Sequence, residues 1–488
     1  MPSRSMVRAE CRKMGLLVAV TAVCGLLAGP RAGAEPAPGR HDARVLMVSD
    51  IHFDPFWDPG KVADLATNND WGKILAAPDS NGRASQFATL ERTCNLKGND
   101  TSYPLFESSL AAMRKEAAGA LFITLSGDLM AHEFDCKFHT MFPHASADDD
   151  QSFAAKTVDY VVERLHAAFP HALLYAALGN NDSGCGDYKL DTQDGFLALV
   201  APAIAAGFGE DETSEAVRTL IAGGYYSAAL PAPFGNTEML VLDDLYMSKK
   251  YTTCAGKSDD AGAAGQLKWL QRQLDAARQA HARVWVMAHI PPGVDPYGTI
   301  SKMRDVCAGQ KPEMFLSGDA LPALLSGYGD VIQLAIFAHT HMDELRLLPG
   351  AKEGEPGVAI KMVPSISPVD GNDPAFTVAQ VDAQTAALAD YRVYAASNKT
   401  GVDTVWSEEY DFDKAYGESE FTAGTVEKLI ARFAADPGAK TSAGESYLEH
   451  YFVGDASGEI KPFWPEYVCA LGNYTAAGFT ACQCAQEK

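Results

Sequence analysis

The chain has 488 residues, 47% of them apolar and 21% charged, enough to bury one large core or two ordinary ones. A formal charge of −23 argues against a nucleic-acid polymer or an anionic lipid surface as the natural partner, because such a surface repels polyanions. After residue 34 no run is long and apolar enough to span a bilayer, which takes about 20 residues, so no transmembrane segment is expected there.

The first predicted element is a leader. Arg4, Arg8, Arg12 and Lys13 precede an apolar run from Met14 to Leu27, followed by Ala32-Gly33-Ala34. This pattern predicts a signal peptide over residues 1–34, cleaved after Ala34, and a secreted or periplasmic protein. Its removal takes away five basic and one acidic side chain and lowers the formal charge from −23 to −27. Cys11 and Cys24 leave with it. The cysteines that remain are Cys94, Cys136, Cys185, Cys254, Cys307, Cys469, Cys482 and Cys484, an even number that predicts disulfides in an exported chain. Cys482 and Cys484 are too close to pair with each other, and Cys469 is expected to bridge one of them.

Short apolar runs bounded by turn residues predict buried strands, and each of the first five delivers a metal-capable side chain at its carboxyl end. Val45 to Val48 ends in Ser49-Asp50-Ile51-His52, Ala120 to Leu125 in Ser126-Gly127-Asp128, and Leu173 to Leu178 in Gly179-Asn180-Asn181-Asp182. Val284 to Ala288 ends in His289, and Leu334 to Ala338 in His339-Thr340-His341. Open α/β sheets place their ligand sites at such ends. Helices are predicted between them at Leu105 to Arg114, Ser152 to Phe169 and Gln266 to Ala280, where Leu267, Leu270 and Leu274 recur at helical spacing. Ala147-Asp148-Asp149-Asp150 reads as an exposed acidic loop.

Further strands are predicted at Ala359 to Val363, Phe376 to Val381 and Leu388 to Tyr394. Beyond residue 400 the pattern changes, with Val426, Leu429, Ile430 and Phe433 on one amphipathic helix ahead of a cysteine-bearing tail. The expected fold class is α/β, a layered β-sandwich flanked by helices, with a main domain over 35–399 and a small, mainly helical region over 400–488.

Cleaving a phosphate ester requires neutralising the phosphoryl oxygens, a nucleophile at neutral pH and protonation of the leaving oxygen. Two metal ions about 3.5–4 Å apart supply the first two, because a water shared between them loses a proton readily. A carboxylate between the metals with imidazole, amide and carboxylate ligands around them suits zinc foremost, with manganese or iron as alternatives. Asp50-x-His52, Gly127-Asp128, Gly179-Asn180, His289 and His339-x-His341 supply that set. Each alone is commonplace: Gly-Asp is a frequent turn, and a lone His after a strand is usually a hydrogen-bonded core residue.

In this chain order the motifs resemble those of the calcineurin-like metallophosphoesterases. The resemblance implies that Asp50, His52 and His341 hold one metal, Asn180, His289 and His339 the other, and that Asp128 bridges them. Within that superfamily the chain is most similar to the acid sphingomyelinase-like phosphodiesterases, through Ser49-Asp50-Ile51-His52-Phe53-Asp54, Gly127-Asp128-Leu129-Met130-Ala131-His132, Ala288-His289-Ile290-Pro291-Pro292-Gly293 and Pro364-Ser365-Ile366-Ser367-Pro368, from about residue 44 onward. Only about ten residues separate the expected cleavage site from the first strand, leaving no room for the lipid-handling domain of sphingomyelinase itself. Ala131 stands where purple acid phosphatases carry an iron-binding Tyr.

The departure from the pattern is Asn181, where most relatives have a His thought to protonate the leaving group or bind the phosphoryl oxygen. An amide donates hydrogen bonds but gives up no proton near neutral pH, so His132 becomes the expected general acid. The resulting expectation is a secreted binuclear-metal hydrolase of small phosphodiesters or phosphoanhydrides, nucleotide derivatives or polyphosphate foremost, acting through a hydroxide between the metals. The alternatives are a sphingomyelin phosphodiesterase and a binding protein that keeps the fold without turnover.

Overall fold

The computed structural model describes residues 42–193, 195–210, 214–454 and 459–486. The expected leader lies outside them. Among these residues twelve strands form two six-stranded sheets. The first contains β1 (Asp42–Val48), β2 (Phe122–Ser126), β3 (Leu173–Ala177), β10 (Ala375–Asp382), β11 (Leu388–Ala396) and β12 (Trp406–Asp411), in the order β12-β11-β10-β1-β2-β3. The second contains β4 (Tyr226–Ala229), β5 (Thr237–Val241), β6 (Arg283–Met287), β7 (Ile332–Phe337), β8 (Glu344–Leu348) and β9 (Val358–Met362), in the order β4-β5-β6-β7-β9-β8. Strands β1, β2 and β3 are mutually parallel, as are β5, β6 and β7, so their carboxyl ends open on one rim of each sheet.

These strands are apolar on both faces because each sheet packs on its partner and on helices. Phe122 of β2 meets Trp285 of β6, Phe234 and Tyr175 edge to face at 5.6, 5.5 and 5.7 Å, and the buried Trp285 indole donates to the Ala386 carbonyl at 2.8 Å. Such ring pairs are worth about 0.5–1.5 kcal/mol each beyond their buried area. The Phe122–Trp285 pair joins the two sheets.

One sequence expectation needs correction, and some strands were not foreseen. The acidic run 147–150 is no loop: it forms the first turn of the helix Ala147–Ala168, capped by Ser146 and Asp149 in a reciprocal capping box. Acidic groups there face the positive end of the helix dipole, and Asp150 is buried. Strand β8 was not foreseen, because Glu344 and Arg346 disguise a fully buried segment. Strand β12 was not foreseen either; it pairs antiparallel with β11 at the edge of the first sheet. Beyond it come helices, including Ala423–Ala434, Ser442–Tyr451, Trp464–Gly472 and Ala476–Gln486.

Four disulfides join Cys94 to Cys136, Cys185 to Cys254, Cys307 to Cys484 and Cys469 to Cys482. The tail pairing expected for Cys469 is thus met by Cys482, while Cys484 ties the last helix to the main body. No described helix is long and apolar enough to cross a membrane.

Candidate metal centre

All seven residues expected as ligands converge where the two rims face each other. Asp50 and His52 follow β1, Asp128 follows β2 and Asn180 follows β3, while His289 follows β6 and His339 and His341 follow β7. Three overlapping groups have ligand atoms within 4.8 Å of one another: Asp50, His52 and Asp128; Asp128, His289 and His339; and His52, His132 and His341. Asp128 belongs to two of them. Its Oδ2 lies 3.4 Å from His52 Nε2 and 3.2 Å from His289 Nε2, so one carboxylate oxygen faces imidazoles from both sheets.

The backbone is bent to achieve this. Asp50, His52, Asp128, His339 and His341 all have left-handed φ, between 43° and 73°, a conformation L-residues avoid at a cost of about 1–3 kcal/mol each. The turns are locked from outside: Asp50 N–H donates to Gly127 O at 3.0 Å, His52 N–H to Asp128 O at 2.9 Å, and Ser365 Oγ to Asp50 O at 2.9 Å. Gly127, at φ 96°, also admits no side chain, since a Cβ there would lie 2.7–2.8 Å from the His289 ring.

Orientation of the donor atoms is equally constrained. His52 and His289 each place Nδ1 2.8 Å from a backbone carbonyl, Met130 O and Ser126 O respectively. An N–H donated there leaves Nε2 free to ligate. Asn180 gives its Nδ2 hydrogen to Asp187 Oδ1 at 2.7 Å, which turns the amide oxygen inward. Asp50 Oδ1, Asn180 Oδ1 and His289 Nε2 are buried without a hydrogen-bond partner, and His341 turns Nε2 to Asp50 Oδ1 at 3.5 Å with Nδ1 3.5 Å from Asp370 Oδ2. Two orphaned oxygens and an orphaned imidazole nitrogen among the clustered side chains form a donor set that fits a pair of divalent cations.

Electrostatics concentrate on the same atoms. Against the upward push of burial, His289 and His52 hold the Asp128 carboxyl well below its usual range. Burial raises Asp50, and burial together with neighbouring histidines lowers His52 and His339. Burial opposes a proton on His289, yet Asp128 lifts its pKa to about 10, a proton that a bound cation would displace.

His132 stacks on His52 at 4.0 Å between ring centroids and keeps 35% of its side chain exposed. Its Nδ1 lies 2.9 Å from Asp100 Oδ1, and its backbone N–H donates to Asp100 Oδ2 at 2.8 Å. Although burial lowers it, Asp100 raises the His132 pKa to about 9. Asn181 turns onto the centre itself, donating from its backbone N–H and from Nδ2 to the two Asp128 oxygens, each at 2.9 Å.

Sequence reasoning missed the residues that brace these groups. Asp100 is held by the buried Lys137, at 3.7 Å, and by Ser367 Oγ, at 3.0 Å. Asp182 accepts from the backbone N–H groups of Leu129, Met130 and Gly179 at 2.8–3.0 Å and so clamps the Asp128 and Asn180 turns together. Asp182 was visible in the Gly179-Asn180-Asn181-Asp182 run, but Asp100 sits in a loop with no motif around it.

No family model matches the chain. Among curated proteins it is 24% identical over 467 residues to bovine cyclic GMP-AMP phosphodiesterase SMPDL3A, covering 92% of each. It is 25% identical over 481 residues to human acid sphingomyelinase-like phosphodiesterase 3b, covering 92% of this chain and 91% of the relative. It is 23% identical to sphingomyelin phosphodiesterase B of Dictyostelium discoideum, covering 89% of this chain and 64% of that protein. The chain has a calcineurin-like metallophosphoesterase fold related, at low identity, to the sphingomyelinase-like phosphodiesterases.

Proposed function

We propose that the chain is an exported phosphoesterase with two divalent ions, zinc foremost, that hydrolyses small soluble phosphodiesters or phosphoanhydrides. Nucleotide derivatives are the favoured class, followed by polyphosphate. The observation that carries this reading is Asp128 Oδ2 standing between His52 and His289, one imidazole from each sheet. Asp50, His52 and His341 would hold one ion, Asn180, His289 and His339 the other. When bound, such a pair neutralises phosphoryl oxygens and activates a water.

The chain's own residues complete the chemistry. Asp100 takes the Nδ1 hydrogen of His132 and fixes that ring, so Nε2 can give its proton to the leaving oxygen as the P–O bond breaks. Asn181 anchors Asp128 and has no proton to give. With a single donor, the site favours phosphate leaving groups, already stable anions, over alkoxides. Relatives named as cyclic GMP-AMP phosphodiesterases support the nucleotide class.

Hydrolysis profiled over nucleoside polyphosphates, dinucleotides, polyphosphate and sphingomyelin, with and without chelator, tests the proposal. Chelator-sensitive cleavage with higher kcat/KM for nucleotide anhydrides than for sphingomyelin is expected. Activity indifferent to chelator would overturn the metal assignment, and sphingomyelin as best substrate would overturn the leaving-group argument.

A further inference from the structure

A cavity of about 210 Å³ has a wall that carries four carboxyl groups, Glu133, Asp135, Asp150 and Asp187, against one ammonium, Lys189. Such a wall draws cations. Asp135 and His139 stand one turn apart on the helix Phe134–Met141 and so share a face, and Asp150 reaches them from the first turn of the helix Ala147–Ala168. The disulfide from Cys136 to Cys94 pins the shorter helix. None of the three side chains belongs to the proposed catalytic centre.

Ligand atoms of Asp135, His139 and Asp150 lie within 4.8 Å of one another. His139 Nε2 is 3.4 Å from Asp135 Oδ1 and 3.4 Å from Asp150 Oδ2, too long for charge-assisted hydrogen bonds of about 2.7–2.9 Å. That spacing fits a shared cation instead, since donors about 2.0–2.2 Å from a tetrahedral zinc ion stand about 3.4 Å apart. Asp150 adds an independent observation. It is 3% exposed, and among the described residues no hydrogen-bond donor outside the cluster reaches its carboxyl. What it meets is the Asp135 carboxyl, and burial together with that neighbour pushes its pKa up to about 8. A buried carboxyl set against another needs a proton or a cation between them.

We propose that Asp135, His139 and Asp150 bind a further zinc ion, apart from the catalytic pair, which clamps the helix Phe134–Met141 to the helix Ala147–Ala168. One imidazole nitrogen and two carboxylate oxygens suit zinc, with water completing the tetrahedron. Asp135 and His139 are 48% and 41% exposed, so this ion exchanges with solvent more readily than one enclosed at the strand ends. The site fills when zinc is present in the buffer and empties on dialysis without it.

Equilibrium dialysis of the full chain against zinc-containing buffer, followed by elemental analysis, tests this in wild-type protein, His139→Gln and Asp150→Asn, with folding checked by circular dichroism. Each folded variant is expected to hold one zinc ion fewer per chain than the wild-type protein. Equal zinc content in wild-type protein and folded His139→Gln would overturn the site. The difference between the two chains does not depend on how many ions the catalytic centre holds, so failure of the two-metal phosphoesterase reading and failure of this site are separate results. If Asp150→Asn does not fold, His139→Gln, at a half-exposed position, decides by the same count.

Discussion

The strand-end rim and the body that carries it are built on opposite terms. In the body, rings meet edge to face, the Trp285 indole finds a carbonyl, and disulfides tie the C-terminal helices down. At the rim, five of the seven proposed ligands have left-handed backbone, and three buried ligand atoms, Asp50 Oδ1, Asn180 Oδ1 and His289 Nε2, have no hydrogen-bond partner. A folded chain tolerates such a concentration of strain when the surroundings over-determine it and a function needs it. Stability is generated in one region and spent in the other.

Three substitutions probe that division, beginning with the largest effect. His132→Ala acts at the rim and should cut alkyl-ester hydrolysis by about 10²–10⁴, with a smaller loss on anhydrides and a melting temperature close to that of the parent. Equal losses on both substrate classes would remove His132 as proton donor. Replacing Cys469 and Cys482 together acts in the body and should lower stability by roughly 2–5 kcal/mol, read by denaturant unfolding, while metal binding survives because neither residue adjoins the rim.

Asp159 gives the smallest effect and sharpens the contrast, being an unpartnered polar group away from the rim. Its Oδ1 is buried without a partner, and burial, with Glu163 nearby, pushes its pKa up to about 7. A raised folded-state pKa means the folded chain keeps a proton that the unfolded chain loses at about pH 4. This group's contribution therefore favours folding at low pH and is lost as pH rises from about 4 to about 7. Asp159→Asn should flatten that slope and raise the melting temperature at pH 8, with activity unaltered. A variant less stable at pH 8 would contradict the assignment.

What could be read from sequence follows the same division. Asp50, Asp128, His289 and His339 were legible because each interrupts an apolar run at the point where a parallel strand must end, and strand ends carry chemistry. Asp100 and Lys137 were not, since their meaning comes from His132 and Asp54 across the fold. Strand β8 was hidden for a related reason: Glu344 and Arg346 are tolerable in a buried segment only because they face each other. The run 147–150 was misread because like charges suggest a solvated loop until Ser146 is recognised as a cap.

The account's central claim, that Asp128 joins two metal positions supplied by the two sheets, is tested most directly by metal content. Purified wild-type protein and Asp128→Ala should be compared by elemental analysis after mild dialysis, with folding checked by circular dichroism. About two divalent ions per wild-type chain are expected, falling below one in a folded Asp128→Ala chain that has lost its hydrolytic activity. One ion or none in active wild-type protein, or two ions retained by Asp128→Ala, would contradict the bridged site.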